Sequence, residues 1–300
     1  MPPMAESAPD VVIRVRDLVV RFSTPAGNAV TILDGVTLDV LRGETLVIMG
    51  GSGCGKSTLL NCLIGELVPS AGSIVFDLPR LGPVDVRTAA REQLDEVRKR
   101  FGILFQSGAL FSSMTVAENV ALPLREHSTV DPAVIDIVVA MKLQQVHMLP
   151  HRHKRPAQLS GGQRKRVGLA RATALDPDIL FYDEPSAGLD PVTSSAIDEL
   201  IMDLSRKLAV TSVVVTHEMD SAFRIADRMV MLNAGRILRI GPRAEFEQLR
   251  DADPATLSSR EDRLIHQFLT GSAHGPITEG DARSEYERVL AESGVFTREM

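Results

Sequence analysis

A glycine-rich segment at residues 50–57 offers the clearest chemistry in this chain. It reads Gly-Gly-Ser-Gly-Cys-Gly-Lys-Ser, which fits the pattern G-x-x-x-x-G-K-[S/T] between an apolar run and a helical pattern. Glycines let consecutive backbone N–H groups converge on phosphate oxygens, and a helix start adds about half a positive charge. We expect Lys56 to reach the β- and γ-phosphates of a nucleotide and Ser57 to bind Mg²⁺. The alternative, a glycine turn without a ligand, is disfavoured by the number of matching positions.

Two adjacent acids, Asp183 and Glu184, form the second candidate site, directly after an apolar run at residues 179–182. Parallel sheets bind ligands at the carboxyl ends of their strands, so these acids are expected to face the same phosphates. Asp183 is expected to hold Mg²⁺ through water, and Glu184 to polarise the attacking water as general base. Two solvated acids at a strand end are the alternative, weakened by the apolar run before them and Pro185 after them.

A second glycine-rich helix start, Leu-Ser-Gly-Gly-Gln at residues 159–163, separates this chain from other nucleotide enzymes. A helix is predicted to follow it at residues 164–174. One nucleotide needs one phosphate cradle, so the second cradle is expected to close on the γ-phosphate of a nucleotide held by a partner subunit.

Taken in order, these motifs resemble the ATP-binding subunits of ABC transporters over residues 11–243. The resemblance implies an α/β fold: a P-loop NTPase (RecA-like) core with an antiparallel β portion and a helical subdomain at about residues 88–174. It implies ATP and Mg²⁺ as cofactors. It also implies a head-to-tail homodimer that holds two ATP molecules, each between the phosphate loop of one chain and Ser160, Gly161 and Gly162 of the other.

The resemblance also assigns roles to single residues. Gln106 matches the glutamine that senses Mg²⁺ and the γ-phosphate, and His217 matches the histidine that contacts the γ-phosphate. Phe22 takes the place of the aromatic residue that stacks on adenine, where the family more often has tyrosine. A packed histidine and a core phenylalanine are the alternatives. The implied catalytic residues are Lys56, Gln106, Glu184 and His217, and the implied metal ligands are Ser57, Gln106 and Asp183. The implied nucleotide-binding residues are Phe22, Gly50, Gly51, Ser52, Gly53, Cys54, Gly55, Lys56, Ser57, Thr58, Ser160, Gly161, Gly162, Gln163 and Asp190.

A narrower resemblance, carried by residues 101–127 and 267–276, is to the ATPases of Mla/Mce-type systems, which move phospholipids or other lipids across bacterial envelopes. It implies an integral membrane permease as partner, with an Mce-type substrate-binding protein and a small accessory subunit, and no nucleic acid. An apolar group follows Gln106 where the family docks a coupling helix: Phe105, Leu110, Phe111, Met114 and Val116. Internal packing of these residues is the alternative.

Other classes of protein remain as alternatives. Within transporters these are an amino-acid importer and a lipoprotein-releasing system. A soluble ABC ATPase of translation or DNA repair is disfavoured because such proteins carry two cassettes or a coiled-coil insert. A P-loop kinase has no use for the motif at residues 159–163 or for His217.

Composition limits the class of protein and its cellular location. With 300 residues, 44% hydrophobic and 24% charged, the chain is globular rather than disordered. Its longest apolar run, residues 137–141, is far shorter than the roughly 20 residues of a membrane span. No secretory signal is visible, and the resemblance implies a peripheral protein at the cytoplasmic face of the inner membrane. Cys54 and Cys62 make no disulfide framework, and a net charge of −6 argues against nucleic-acid binding.

The sequence also predicts many of the helices and strands that position these residues. Thr115 with Glu118 predicts a capping box, and Asp131 and Asp190 each precede a proline as a helix N-cap. Helices are expected at residues 56–64, 258–269 and 281–293. Strands are predicted at residues 11–16, 46–49, 73–76, 103–105, 179–182, 212–216, 229–232 and 236–240, with a hairpin turn at 233–235.

The expected domain organisation has three parts. Residues 1–10 form a flexible N-terminus, residues 11–245 the ATP-binding domain, and residues 246–300 an extension with one or two short helices. Within the extension, residues 251–254 are predicted as a linker and residues 271–280 as flexible. The helix at 258–269 is expected to place Leu264, Ile265, Phe268 and Leu269 on one side. His151 and His153 are expected in a solvated cationic loop rather than a metal site.

Overall fold

The computed structural model describes residues 10–23 and 29–278. The chain divides into two compact units, Met1–Ile240 and Gly241–Met300. The strands in the described residues are β1 (Val11–Ser23), β2 (Ala29–Leu41), β3 (Thr45–Met49), β4 (Ala71–Leu78), β5 (Gly82–Asp85), β6 (Phe101–Leu104), β7 (Ile179–Asp183), β8 (Thr211–Val215), β9 (Arg228–Asn233) and β10 (Arg236–Pro242). The helices are α1 (Lys56–Leu63), α2 (Arg91–Arg98), α3 (Val116–His127), α4 (Pro132–Gln145), α5 (Gly161–Ala172), α6 (Pro191–Leu208), α7 (Met219–Ile225), α8 (Arg243–Asp251) and α9 (Arg260–Thr270). Short 3₁₀ turns lie at Leu149–His151, Pro156–Gln158 and Pro254–Thr256.

The first sheet has four strands in the order β2-β1-β4-β5, with antiparallel pairs. The prediction for β1 stopped at residue 16 and missed β2 and β5. β1 continues through Asp17, which has a φ of 47°, and its register against β2 shifts on either side of Leu18. β2 contains Asp34-Gly35, a turn signal that the strand absorbs as a bulge. Bulges therefore hide these strands from period-two reasoning.

The second sheet has six strands in the order β10-β9-β3-β8-β7-β6. β3 pairs in parallel with β8 and β9, and β7 pairs in parallel with β6 and β8. Every residue of β3 and β8 is buried, as expected for parallel strands covered on both faces. The carboxyl ends of these strands meet at one edge, so the segments that follow them are brought together.

Aromatic side chains join the two sheets. Phe101 of β6 stacks on Phe76 of β4 with ring centroids 6.0 Å apart, and meets Phe181 of β7 edge-on at 5.3 Å. Both geometries are favourable for aromatic rings. The predicted hairpin between β9 and β10 is confirmed: Ala234 and Gly235 both have positive φ, as a two-residue type I′ turn requires.

Between residues 88 and 174 the chain is mostly helical, as predicted, with β6 the strand among helices. The capping box at α3 is present: Oγ1 of Thr115 accepts from the N–H of Glu118, and a carboxylate oxygen of Glu118 accepts from the N–H of Thr115. Asp131 caps α4 and Asp190 caps α6 through their side chains. The bounds of two elements differ from prediction: β6 covers Phe101–Leu104 rather than 103–105, and α5 covers Gly161–Ala172 rather than 164–174 because Ser160 caps it.

In the unit Gly241–Met300, the described residues form α8 and α9 with a 3₁₀ turn between them. The prediction missed α8 because five of its nine residues are charged. In α9 the buried positions are Ile265, Gln267 and Leu269, whereas Leu264 and Phe268, expected on the same apolar side, are half-buried.

The polar exception in α9, Gln267, organises the segment after the helix. Its side chain donates to the carbonyl oxygen of Ser272 and to Oγ1 of Thr278, and accepts from the N–H of Ile277 at 2.8 Å. These hydrogen bonds tie Ser272, Ile277 and Thr278, in the segment expected to be flexible, to a buried amide of α9. The helix expected at 281–293 and the N-terminal residues 1–9 lie outside the described residues.

Candidate functional site

The phosphate loop joins β3 to α1 and has a backbone that glycine alone can adopt at its first position. Gly50 has a φ of 154°, and a Cβ atom there would lie 2.1 Å from the carbonyl oxygen of Leu232. Gly53 and Gly55 also have positive φ. The N–H of Gly235 donates to the carbonyl oxygen of Cys54 at 3.0 Å, which ties the loop to the β9–β10 hairpin. The loop is therefore a preformed backbone cradle.

Lys56 and the two hydroxyl residues after it open α1. The Nζ of Lys56 is buried and donates to the carbonyl oxygens of Gly50 and Gly51, at 2.7 and 3.0 Å. This contact places the ammonium within the loop. Ser57 is exposed and Thr58 is half-buried in the first helical turn, where backbone N–H groups have no helical partner. The ammonium, the two hydroxyls and the N–H groups thus all lie at the start of α1, as the prediction of a phosphate site requires.

Glu184 is fixed by contacts with the end of β8. Its Oε1 lies 2.8 Å from Nδ1 of His217, and its Oε2 accepts hydrogen bonds from Thr216 Oγ1 and the His217 N–H, both at 3.3 Å. The Glu184 side chain is only 12% exposed, whereas His217 is mostly open to solvent. The structure thus brings together two predicted residues that are 33 positions apart. It excludes the alternative of two solvated acids.

Asp183 ends β7 beside Glu184 and is half-buried. Burial raises the pKa of its carboxyl, and the negative charge of Glu184 raises it further. Lys165 and Lys56 act in the opposite direction. A positive charge bound at this point would therefore favour the ionised form of Asp183.

Sequence reasoning missed Lys165, the buried lysine of α5. Its Nζ donates to the backbone carbonyl oxygen of Glu184 at 2.8 Å. Burial lowers the pKa of this ammonium, and the carboxylates of Glu218 and Glu184 oppose that effect. A signal was present, because Lys165 lies at the i+3 position from Gly162 and at the i−4 position from Leu169, on the buried face of α5.

The residues at 160–163 form the N-terminus of α5 through a capping box. Ser160 Oγ accepts from the N–H of Gln163, and Gln163 Oε1 accepts from the N–H of Ser160 at 3.0 Å. Ser160 is exposed, while Gly162 is buried against α6: a Cβ there would lie 2.5 Å from Cγ2 of Thr193. The capped N-terminus of α5 is therefore exposed at Ser160, as the prediction of a second anion-binding helix start requires.

Asp190 precedes α6 and acts as its cap. Its Oδ1 accepts from the N–H groups of Val192 and Thr193, and the hydrogen bonds from Thr193 lower the pKa of the Asp190 carboxyl. The Asp190 side chain thus ties the preceding loop to the start of a helix that packs against Gly162.

Gln106 and Phe22 are two further predicted site residues. Gln106 is exposed two residues beyond β6, whose last residue pairs with Tyr182 next to Asp183, so Gln106 emerges at the same sheet edge. Phe22 lies near the end of β1 with its ring 46% exposed. This exposure excludes the alternative that Phe22 fills the core.

The apolar group after Gln106 is divided between two environments. Val116 is fully buried, whereas Phe111 is 51% exposed. Phe105 and Phe111 line a groove of about 740 Å³ together with Leu122 and Leu175. The group therefore packs the helical region and also leaves an apolar surface open.

The histidines and cysteines outside the main cluster have distinct surroundings. No group of three or more His, Cys, Asp or Glu side chains that could hold a metal ion is found among residues 10–23 and 29–278. His153 is exposed, as expected for a solvated cationic loop, whereas His151 is half-buried, with Nε2 3.5 Å from Nε2 of Gln163. Cys54 and Cys62 are buried free thiols, and burial raises the pKa of Cys62 to about 12. In the part of the chain that the structure describes, no helix is both long and apolar enough to cross a membrane.

Comparison with known proteins gives two close kinds of relative. The intermembrane phospholipid transport system ATP-binding protein MlaF of Escherichia coli (strain K12) is 39% identical over 246 residues, which cover 82% of this chain and 86% of the relative. The probable ribonucleotide transport ATP-binding protein mkl of Mycobacterium leprae is 38% identical over 290 residues, which cover 95% of this chain and 78% of the relative.

The fold and the family model agree with these relatives. The dimeric structure of an ATP-binding cassette in a post-hydrolysis state, bound to ADP and Pi, matches with a TM-score of 0.69 and 28% identity, over 77% of this chain and 98% of that chain. The model of the family described as ABC transporter matches residues 33–187, which include the phosphate loop, residues 159–163 and both acids. The chain therefore belongs to the ABC transporter family, as an ATP-binding and ATP-hydrolysing subunit.

Proposed function

We propose that this chain hydrolyses ATP to power the transport of lipids, phospholipids in particular, through a separate membrane permease. The observation that carries the hydrolytic assignment is the Glu184–His217 pair, 2.8 Å apart at the strand edge that also bears the phosphate loop. The lipid assignment is supported by 39% identity to a phospholipid transport ATP-binding protein. It is also supported by the Mla-like sequence at residues 101–127.

The residues of the site divide the work. The backbone N–H groups of the phosphate loop and the Lys56 ammonium bind the β- and γ-phosphates. Glu184 accepts a proton from the attacking water, and the hydrogen bonds that its carboxylate accepts hold it in a fixed position for this role. His217, half exposed at the mouth of the site, is free to contact the γ-phosphate while it orients Glu184. Phe22 offers an open ring for stacking on adenine.

Mg²⁺ suits the donors at this edge. The Ser57 hydroxyl, the Asp183 carboxylate and the Gln106 amide are oxygen ligands of the kind that Mg²⁺ prefers. The raised pKa of Asp183 fits a site where a cation completes the charge balance. When bound, Mg²⁺ neutralises charge on the β- and γ-phosphate oxygens.

A head-to-tail homodimer completes each site in this proposal. Ser160 is exposed at a capped helix N-terminus, so it can meet a nucleotide held by a second copy. The matched cassette structure is dimeric, which supports this assembly. Binding of two ATP molecules closes the dimer, and hydrolysis reopens it.

The groove beside Gln106 is the proposed docking site for the permease. Phe105 and Phe111 supply apolar anchors on the wall of a groove of about 740 Å³, which suits an amphipathic helix. The subunit then works at the cytoplasmic face of the inner membrane, held by protein contacts. An Mce-type substrate-binding protein and a small accessory subunit are the further partners that we propose.

The hydrolytic assignment is tested with Glu184→Gln. Steady-state ATP turnover should fall by about 10²-fold or more while ATP binding is retained, because only the base is removed. Glu199→Gln, an exposed acid on α6, is the matched control and should behave as wild type. Lys56→Ala should instead weaken nucleotide binding. Full turnover by Glu184→Gln would contradict the assigned base.

The lipid assignment is tested with the chain assembled with its membrane partners. The membrane proteins that co-purify with the chain are identified, and the reconstituted complex is assayed for ATPase stimulation and lipid transfer with phospholipid vesicles. Phospholipid-dependent turnover is expected. An amino-acid permease or a lipoprotein-releasing permease as the partner, with no response to phospholipid, would overturn the lipid assignment.

A further inference from the structure

The backbone of Glu184 is held in an unusual conformation. Its φ is 48°, in the left-handed region that a non-glycine residue occupies only when its surroundings impose it. The N–H of Glu184 donates to the carbonyl oxygen of Val215 at 2.9 Å. Its own carbonyl oxygen accepts from Lys165 Nζ at 2.8 Å and from the N–H of Ala187 at 3.2 Å. The peptide unit that aims this side chain is therefore fixed from both sides.

Burial of the Lys165 ammonium has a large desolvation penalty. Lys165 is 4% exposed, on the face of α5 that otherwise buries glycine and apolar side chains such as Gly162, Gly168 and Leu169. Removing an ammonium from water is unfavourable unless hydrogen bonds and charges compensate for the lost hydration. A methionine would fill the same space without that penalty. The contact that only the lysine supplies is its hydrogen bond to the Glu184 carbonyl oxygen.

The other contacts of Glu184 do not replace this one. His217 contacts the carboxylate at 2.8 Å but is itself 58% exposed, and the bonds from Thr216 and the His217 N–H are 3.3 Å long. These contacts act on the side chain, after the backbone has set its direction. Lys165 acts on the backbone and comes from a helix whose first residues are the second cradle.

We propose that Lys165 is a positioning residue for hydrolysis: its Nζ–carbonyl hydrogen bond holds Glu184 in the left-handed conformation that aims the carboxylate at the attacking water. The inference rests on the proposed role of Glu184 as general base. The hydrogen bond of Lys165 acts on the backbone of Glu184, so its effect is expected on turnover rather than on ATP affinity.

The first test is Lys165→Met in the full-length chain. The kcat for ATP should fall about tenfold or more, because misplacement of a catalytic group by a fraction of an ångström has effects of this size, while the affinity for ATP stays within about twofold. The thermal midpoint is measured alongside, because methionine removes the desolvation penalty of the buried ammonium but also its hydrogen bond and its attraction to Glu218 and Glu184. Lys165→Arg, which keeps a charged donor, should recover most of the turnover.

Lys142 provides the matched control. It is also a buried lysine, and its Nζ lies 2.5 Å from a carboxylate oxygen of Asp176. Lys142→Met removes the same atoms but leaves Glu184 untouched, so kcat should be unchanged while the loss of an ion pair lowers the thermal midpoint. An unchanged kcat in Lys165→Met, or an equal loss of kcat in the two variants, would overturn the inference.

A double variant separates this inference from the proposed function. In a Glu184→Gln background, Lys165→Met should lower the residual turnover no further, because the group it positions is gone. A further loss equal to that in the wild-type background would mean that Lys165 acts elsewhere. If Glu184→Gln alone keeps full turnover, the proposed base is wrong. If that variant is inactive and Lys165→Met is fully active, only the role of Lys165 is wrong.

Discussion

The phosphate loop allows its backbone geometry to be tested one glycine at a time. Gly51 has open space around its Cα and a φ outside the positive region, so a methyl group can be added without strain. Gly53 also has open space, but its φ is 74°. Gly50 combines a φ of 154° with a Cβ position 2.1 Å from the Leu232 carbonyl oxygen and 2.7 Å from Cys54 Sγ. Alanine should therefore add no penalty at position 51 and backbone strain at position 53. At position 50 it should add both backbone strain and a steric clash.

The expected losses in free energy of unfolding follow from these geometries. Gly51→Ala should change it by less than about 0.5 kcal/mol. Gly53→Ala should lower it by about 1–2 kcal/mol, the penalty for a left-handed alanine. At Gly50 the strain contributes about 1–3 kcal/mol, and overpacking against a backbone carbonyl a further 1–3 kcal/mol. The sum, about 2–6 kcal/mol, is a large part of the 5–15 kcal/mol that stabilises an ordinary domain.

Urea unfolding followed by circular dichroism measures the series. With a constant slope, the midpoints should fall in the order Gly51→Ala, Gly53→Ala, Gly50→Ala. ATP binding should be lost first in Gly50→Ala, because relief of the clash moves the loop away from β9. If Gly50→Ala were as stable as Gly51→Ala, the loop would not be held by close approach to Leu232.

Three further outcomes are expected. Hydrogen bonds from Thr115 lower the pKa of Glu118, so its carboxylate stabilises the fold above the unfolded-state pKa, and this contribution is lost as pH falls through the lowered value. Glu118→Ala should thus lower the Tm at neutral pH, with a difference from wild type that closes on acidification; a constant difference would contradict the cap. Complete labelling of Cys54 with a thiol reagent should abolish ATP hydrolysis. The labelling should be slow at neutral pH because burial raises the pKa of the Cys54 thiol. The Cys54→Ser variant should keep its activity in the reagent, and full activity of the labelled wild-type chain would refute this prediction. Gln267→Ala should raise the rate of amide hydrogen exchange across residues 271–278 by about tenfold or more, because each lost buried hydrogen bond is worth about 1–3 kcal/mol. Unchanged protection would show that the Gln267 amide does not hold this segment.

Local signals were sufficient for the helix starts and the phosphate loop. Thr115, Asp131 and Asp190 cap helices with side chains that lie two or three residues from the N–H groups they bind, so sequence spacing contains the whole interaction. The same holds for Ser160 and its capping box. Interactions that act within one helical turn could therefore be predicted from the sequence alone.

Interactions that depend on strand order were not accessible in this way. β2 was missed because a bulge at Gly35 carries a turn signal inside a strand. Lys165 was missed because its partner is a backbone carbonyl 19 residues away, and nothing in local spacing indicates that α5 crosses the end of β7. A charged residue on a buried helical face is a usable sign, but it identifies a buried polar contact and not its partner.

The order of the parallel strands explains why the acid and the histidine meet at all. β7 and β8 are neighbours in register, with Asp183 paired to Val215. One residue after Asp183, the chain turns in a left-handed conformation, and one residue after Val215 it leaves the sheet at Thr216. Glu184 and His217 are therefore delivered to the same edge by backbone pairing, and their 2.8 Å contact needs no long loop to close. An insertion of one residue into β8 would shift this register and reverse the side-chain facing of the strand, so the pair would separate even though every motif remained in the sequence.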